Sequence, residues 1–322
     1  MKKRIKIIAE AGINHNGNIR LAYKLINKAK YANADAVKFQ IFSADELVSK
    51  SKQSVYKNAK KLELSRDEHL KLRKYCKKKG ITYLCSAFDI PSLKFLHKQK
   101  ISLFKIPSGE ITNFPYLKII GSFKKEVILS TGMSTISEIG EALEILVKAG
   151  LNKKKITLLQ CNSDYPTKYS EVNLNAMLTL KKKFNVKVGL SDHTIGIEVP
   201  IAAAALGAKV IEKHFTLDRN MKGPDHKASL TPSELVNMVN SVRNIENSLG
   251  SKKKIVTKSE LKTLRAARKS IVAIKDIKKN EIFNKKNIGT KRPGTGLSAK
   301  EFEKVIGKKA KKFFKRDELI KI

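Results

Sequence analysis

Ile5-Lys6-Ile7-Ile8-Ala9-Glu10-Ala11-Gly12-Ile13-Asn14-His15 is an apolar run of strand length that ends in a carboxylate, a glycine and an imidazole, and a helix-period segment starting near Asn18 follows it. The pattern recurs. Later runs end in Lys38-Phe39-Gln40, Cys85-Ser86-Ala87-Phe88, Lys105-Ile106-Pro107-Ser108-Gly109-Glu110, Ser130-Thr131-Gly132, Cys161-Asn162-Ser163-Asp164-Tyr165, Ser191-Asp192-His193 and Glu212-Lys213-His214. Eight strand-then-helix units with polar residues at the strand ends predict a (β/α)8 TIM barrel, the fold that gathers its strand C-termini around one catalytic mouth.

The first two strands are expected at 5–9 and 36–40, and the others near Thr82, Leu103, Glu126, Lys155, Lys187 and Lys209. Helices are expected over 135–149 and 231–249. Thr135 before Glu138 has capping-box spacing, and Thr231-Pro232 before Glu234 marks a helix start. The stretch 43–64 has no clear period and is read as a long, partly helical βα loop over the mouth. After Gly250 the pattern changes. A linker at 251–265, including a connecting helix around 259–268, precedes a β-rich module at 266–322 with strand-like pieces at 270–274, 281–283, 288–291 and 319–321. A module of that size is near the lower limit for independent stability, so it should lean on the barrel or on a second subunit.

The 322 residues suit one large barrel plus something small, and 41% hydrophobic content supports a sizeable core. Three cysteines without CxxC spacing indicate neither a disulfide framework nor a structural zinc site. Behind Lys2, Lys3 and Arg4 the apolar run is interrupted by Lys6 and Glu10, so a soluble cytoplasmic protein without a membrane span is expected. The formal charge of +38 raises nucleic-acid binding as a possibility. The lysines, however, are dispersed over helix faces and loops with few interleaved aromatics. A solvated lysine-rich surface is the expectation, with no nucleic-acid partner.

His193 and His214 close neighbouring strands, so their imidazoles can face one site as divalent-metal ligands or as core or substrate-binding histidines. Glu212 shares the strand face of His214. His226, in the loop after Gly223-Pro224-Asp225, suits a structural role as well as a substrate contact. Lys38, Gln40, Ser86, Lys105, Ser108, Ser130 and Ser191 supply positive charge and donors at several strand ends, the set a small phosphorylated carboxylate needs. No Walker or Rossmann spacing occurs, so nucleotide binding has no support.

Ala9 to Gly17, Val37-Lys38-Phe39-Gln40, Phe104 to Glu110, Leu129 to Met133, Gly189 to Thr194, Val210 to Asp218, Gly223 to His226 and Lys291-Arg292-Pro293-Gly294 together resemble the sialic acid synthase family from about Ile5 to the C-terminus. The resemblance implies condensation of phosphoenolpyruvate with an open-chain N-acetylhexosamine to give a nine-carbon 2-keto acid and phosphate. It also implies a TIM barrel followed by a small SAF (antifreeze-like) domain. His193 and His214 would bind Mn²⁺ or Mg²⁺. Lys38, Ser86, Lys105, Ser108, Ser130 and Ser191 would hold phosphoenolpyruvate with Gln40 close by, and Ser163 stands where some members carry an Asn that contacts it. Glu10, Glu110, Tyr165, Glu212 and Asp225 would contact the amino sugar. Glu10 or Glu212 would be the general acid or base. Members are domain-swapped dimers, which would bring Arg292 to the partner's sugar. The stretch 48–62 is shorter than in many relatives. N-acetylmannosamine is the first expected acceptor. A 6-deoxy diacetamido hexose, giving legionaminic acid, is the alternative, and pseudaminic acid synthesis fits the motifs less well. A basic carbohydrate- or nucleic-acid-binding protein on a barrel scaffold is the non-enzymatic reading.

Overall fold

In a computed structural model describing residues 4–322, eight parallel strands run in the order β3-β2-β1-β8-β7-β6-β5-β4, and β3 packs beside β4 to complete a TIM barrel. They are β1 Lys6–Gly12, β2 Ala36–Ile41, β3 Thr82–Ala87, β4 Leu103–Ile106, β5 Glu126–Ser130, β6 Ile156–Cys161, β7 Lys187–Asp192 and β8 Val210–His214. Lys2 and Lys3 lie outside the described residues. Parallel strands are covered on both faces, which is why they read as near-continuous apolar runs. The outer faces join the helices in the main core, while Ile8, Leu84, Leu103, Ile128, Leu159 and Val210 fill the barrel interior.

β1 extends beyond the expected 5–9 because its pairing with β2 shifts register between Glu10 and Gly12, where Gly12 takes φ +52°. Such a bulge re-aims the strand end, and here a Cβ at Gly12 would stand 3.2 Å from His214 Cε1. The expected capping box forms at the N-terminus of the helix Ile136–Lys148, and the helix start expected at Thr231-Pro232, the N-terminus of Pro232–Ser248, carries a capping box of its own with Glu234. The stretch 43–64 contains helices Ala44–Leu47 and Gln53–Leu62, closed on themselves by Glu63, which accepts from Ala44 N.

The contacts divide the chain into compact units 1–250 and 251–322. The second contains the helix Glu260–Ala267, an antiparallel pair β9 Ser270–Ala273 and β10 Ile288–Lys291, and its own core around Ile271, Ile277, Phe283 and Phe314. The pieces expected at 281–283 and 319–321 are single bridges, Ile282 to Lys309 and Leu319 to Val272. Among the described residues no helix is long and apolar enough to cross a membrane.

Two buried histidines outside the barrel mouth tie stability to pH. His15 Nδ1 accepts from Gly17 N at 3.1 Å, and His69 Nδ1 pairs with the Tyr83 hydroxyl at 2.8 Å. Burial pulls their pKa values down to about 4 and about 3. An unfolded chain keeps imidazole near pH 6.5, so below that value the unfolded state binds more protons. Their stabilisation is whole above about pH 6.5 and drains as pH falls toward the folded values, each adding a slope of up to about 1.4 kcal/mol per pH unit. Urea unfolding at about pH 7, 6 and 5 should show this loss, and His69→Phe should flatten the slope by one histidine's share. An unchanged slope in that variant would mean His69 is not held neutral.

Candidate active site

Alternation along each strand sends every second residue inward, and at the C-terminal end those residues converge on a cavity of about 270 Å³. Glu10 comes from β1, Lys38 and Gln40 from β2, Lys105 from β4, Ser130 from β5, Ser191 from β7, and Glu212 and His214 from β8. His193 follows β7 directly. Ser108, Ser163 and Tyr165 join from the loops after β4 and β6.

Four buried charges form the floor. Lys38 Nζ lies 3.0 Å from Glu10 Oε1 and 3.7 Å from Glu212 Oε2, and Lys105 Nζ lies 3.1 Å from Glu212 Oε1. Ser86, expected among the phosphoenolpyruvate binders, is not among the cavity-lining residues, its Oγ accepting from Lys38 Nζ at 3.1 Å. Ser191 Oγ donates to Glu212 at 3.1 Å, and Gln40 Nε2 donates to Glu10 at 3.2 Å. The carboxyls are not equivalent. Burial alone would raise both pKa values, but Lys105 and Lys38 overcome it at Glu212 and hold it at about 2. At Glu10 burial prevails over Lys38, with Glu212 adding to the rise, so this carboxyl keeps a proton more readily. Burial also lowers Lys105, whereas the two carboxylates outweigh burial at Lys38 and raise it. Glu10 Oε2 and Glu212 Oε2 are buried without a hydrogen-bond partner, which leaves acceptor capacity aimed at whatever fills the cavity.

The His193 and His214 rings stand 5.4 Å apart, with the Tyr165 ring 4.0 Å from the first and 5.7 Å from the second. His193 Nδ1 meets the Asn162 carbonyl oxygen at 2.5 Å, which assigns the proton to Nδ1 and leaves Nε2 with a lone pair. His214 Nδ1 is buried without a hydrogen-bond partner, the Asp225 carboxylate being 3.7 Å away. Burial holds His193 at about 3, with His214 reinforcing it, and burial also lowers His214. Both imidazoles are therefore in the neutral, ligating form. No group of three His, Cys, Asp or Glu is set to hold a metal among the described residues. The two neutral imidazoles facing one cavity are nonetheless donors of the kind a divalent cation takes, with water or substrate oxygens completing its coordination.

Behind the histidines a buried ion pair ties β7 to β8. Asp192 and Lys213 are paired in register, and their side chains point outward, opposite to Ser191 and Glu212. Lys213 Nζ is 2.5 Å from Asp192 Oδ2 and also donates to the Thr194 carbonyl, and Thr194 donates to Asp192 through Oγ1 at 2.9 Å and N at 3.2 Å. Lys213 and Thr194 are fully buried. Each member of the pair precedes one of the histidines.

Glu110, expected at the sugar, is buried outside the cavity lining and accepts from Asn113 at 2.7 Å. Asp225 stands beside His214, and Arg292 belongs to the other unit, where its Nε donates to Ala267 O at 3.0 Å. His226 is structural: its Nδ1 is 2.7 Å from Thr216 Oγ1 and its Nε2 3.2 Å from Asn16 Oδ1. Phe88, Pro107, Gly109, Met133 and Cys161 also line the cavity and were not among the expected site residues. Phe88 was within reach of strand alternation, being two positions from Ser86. Gly132 allows a close approach, since its N donates to Ser108 Oγ at 3.0 Å and a Cβ there would collide with Ser163 Oγ.

The chain is 50% identical, over the full length of both proteins, to the N,N'-diacetyllegionaminic acid synthase of Campylobacter jejuni. It is 42% identical to the enzyme of that name from Legionella pneumophila, with 94% of this chain and 89% of that protein covered. A crystal structure of the N-acetylneuraminic acid synthetase of Leptospira borgpetersenii in complex with citrate superposes with a TM-score of 0.76 at 36% identity, covering 81% of this chain and 90% of that one. Family models match the SAF domain at residues 268–322 and the NeuB family at 25–254, and on these grounds the chain belongs to the NeuB family.

Proposed function

We propose that the chain is a divalent-metal-dependent nonulosonate synthase that condenses phosphoenolpyruvate with an open-chain N-acetylhexosamine and releases phosphate. The observation that carries this reading is one cavity uniting the Glu10, Lys38, Lys105 and Glu212 side chains with two neutral imidazoles. Lys38 and Lys105, with the Ser108, Ser130, Ser163 and Ser191 hydroxyls, hold the phosphate and carboxylate of phosphoenolpyruvate. His193 and His214 hold Mn²⁺ or Mg²⁺, which when bound supplies Lewis-acid polarisation of the acceptor's aldehyde oxygen. C3 of the enol phosphate attacks the aldehyde carbon while Glu10 protonates the aldehyde oxygen as it becomes a hydroxyl. Water then adds to C2 and gives its proton back to Glu10, and the tetrahedral intermediate expels phosphate by C–O cleavage, the C2 hydroxyl proton leaving with it. Glu212 stays ionised and orients the two ammoniums. Tyr165, at the cavity, and Asp225, beside His214, serve the sugar side.

The acceptor ranking shifts. Relatives named for diacetyllegionaminic acid stand at 50% and 42% identity, against 34% for the human N-acetylneuraminate-9-phosphate synthase, which favours a 2,4-diacetamido-2,4,6-trideoxy hexose over N-acetylmannosamine. Phosphate release measured with each purified acceptor decides between them. Release with neither, at saturating phosphoenolpyruvate and Mn²⁺, would remove the proposal.

Lys105→Ala should raise the Michaelis constant for phosphoenolpyruvate by roughly 10- to 100-fold, the equivalent of losing one charge-assisted contact of about 1.5 to 3 kcal/mol. A change confined to the sugar constant would mean the lysine is misassigned.

Arg292 reaches the sugar of the partner barrel in a swapped dimer. Arg292→Ala and His214→Ala homodimers should both be nearly inactive. Their mixture should regain activity, because one barrel of each heterodimer then has both intact residues. Verified subunit exchange without recovery would place Arg292 in its own chain's site.

A further inference from the structure

A second cavity, of about 300 Å³, opens at the opposite end of the barrel, among the strand beginnings. Its floor is Leu103, Ile128 and Val210, the last apolar layer of the barrel interior. Its rim carries Arg4, Lys6, Lys155, Lys187 and Lys209 against a single carboxylate, Glu126. Lys155 Nζ donates to the Lys124 carbonyl at 2.9 Å. The side chains of Lys6, Lys187 and Lys209 have no hydrogen-bond or ion-pair partner among the described residues.

Most of the chain's other exposed lysines stand on helix faces and loops, where water and salt disperse their charge. Here the strand order β5-β6-β7-β8-β1 sets the rim residues on adjacent strands, about 4.8 Å apart, around one concavity. A low-dielectric wall under a ring of like charges focuses a positive potential into the cavity. Only Thr157 adds a polar side chain to the buried part of the wall, so the cavity reads charge and size and not a hydrogen-bond pattern. We propose that this cavity is a binding site for a small multivalent phosphate, separate from the reacting residues at the other end of the barrel.

The test is calorimetric titration of the full-length protein with inorganic tripolyphosphate at physiological ionic strength. Lys6→Ser/Lys187→Ser/Lys209→Ser removes three rim charges, and Lys286→Ser/Lys308→Ser/Lys311→Ser removes three exposed charges from the other unit as a control for diffuse attraction. One binding event should be weakened at least ~10-fold in the rim variant and kept within about twofold in the control. Any binding at the catalytic mouth is common to all three proteins and remains as a residual isotherm. Without ligand, the rim variant should unfold at the same temperature as wild type or higher, because mutual repulsion has been relieved, and tripolyphosphate should raise the wild-type midpoint more than the variant's. Equal weakening in both variants, or binding by the rim variant within about twofold of wild type, overturns the proposal. So does loss of fold in the rim variant, which would make those lysines part of the barrel's support.

Discussion

Alanine at His214 is expected to lower phosphate release by roughly a thousandfold, equivalent to about 4 kcal/mol of transition-state stabilisation, with His193→Ala close behind. The reason is geometric. The rings sit 5.4 Å apart on neighbouring strands, both neutral, with one fixed by the Asn162 carbonyl and the other having an unsatisfied nitrogen. A third protein ligand is not arranged among the described residues, so a lost imidazole cannot be replaced from within the chain. Mn²⁺ binding followed by electron paramagnetic resonance should fall in parallel, while phosphoenolpyruvate binding, which on the proposed reading rests on Lys38 and Lys105, should change little. Turnover near the wild-type rate in either variant would end the two-imidazole assignment.

Lys213→Met should cost about 3 to 5 kcal/mol of stability, because the volume is nearly kept while the Asp192 carboxylate is left buried without its cation. Burial lowers the lysine's own pKa and Asp192 works against that, as expected when each ion is tolerated only through the other. Adding Asp192→Asn should recover part of the loss by removing the stranded charge, and urea unfolding of both variants measures the coupling. A single-variant cost below about 1 kcal/mol would be the behaviour of a solvated pair, at odds with a fully buried lysine.

The barrel was legible because buried parallel strands must be apolar throughout their length. Starts expected near Thr82, Leu103, Glu126 and Lys187 coincide with the observed ones. The helix Gln53–Leu62 could not be read with the same clarity, since its apolar positions, Val55, Tyr56, Ala59 and Leu62, form a short stripe and none of its residues is buried. The Asp192–Lys213 pair was hidden for a different reason. Both residues belong to motifs whose neighbours draw attention inward, and only the β7–β8 register shows that they meet behind the site. The unequal carboxyls are a third case. Glu10 and Glu212 look interchangeable in sequence, and what separates them is that Glu212 lies against both ammoniums, held at 3.1 Å by Lys105, while burial prevails at Glu10.

The chemistry-bearing residues divide by their supports: the lysines, the glutamates and His214 stand on strands, whereas Ser163, Tyr165 and Asp225 stand on loops. Strand positions are locked by ladders on both sides and by the packed core, but loops tolerate insertion and substitution. On the proposed reading, the charges that meet phosphoenolpyruvate are held on strands, with Ser108 and Ser163 adding loop contacts, while Tyr165 and Asp225 on the sugar side stand on loops alone. A change in those loops should therefore alter which acceptor is taken while leaving phosphoenolpyruvate capture largely in place.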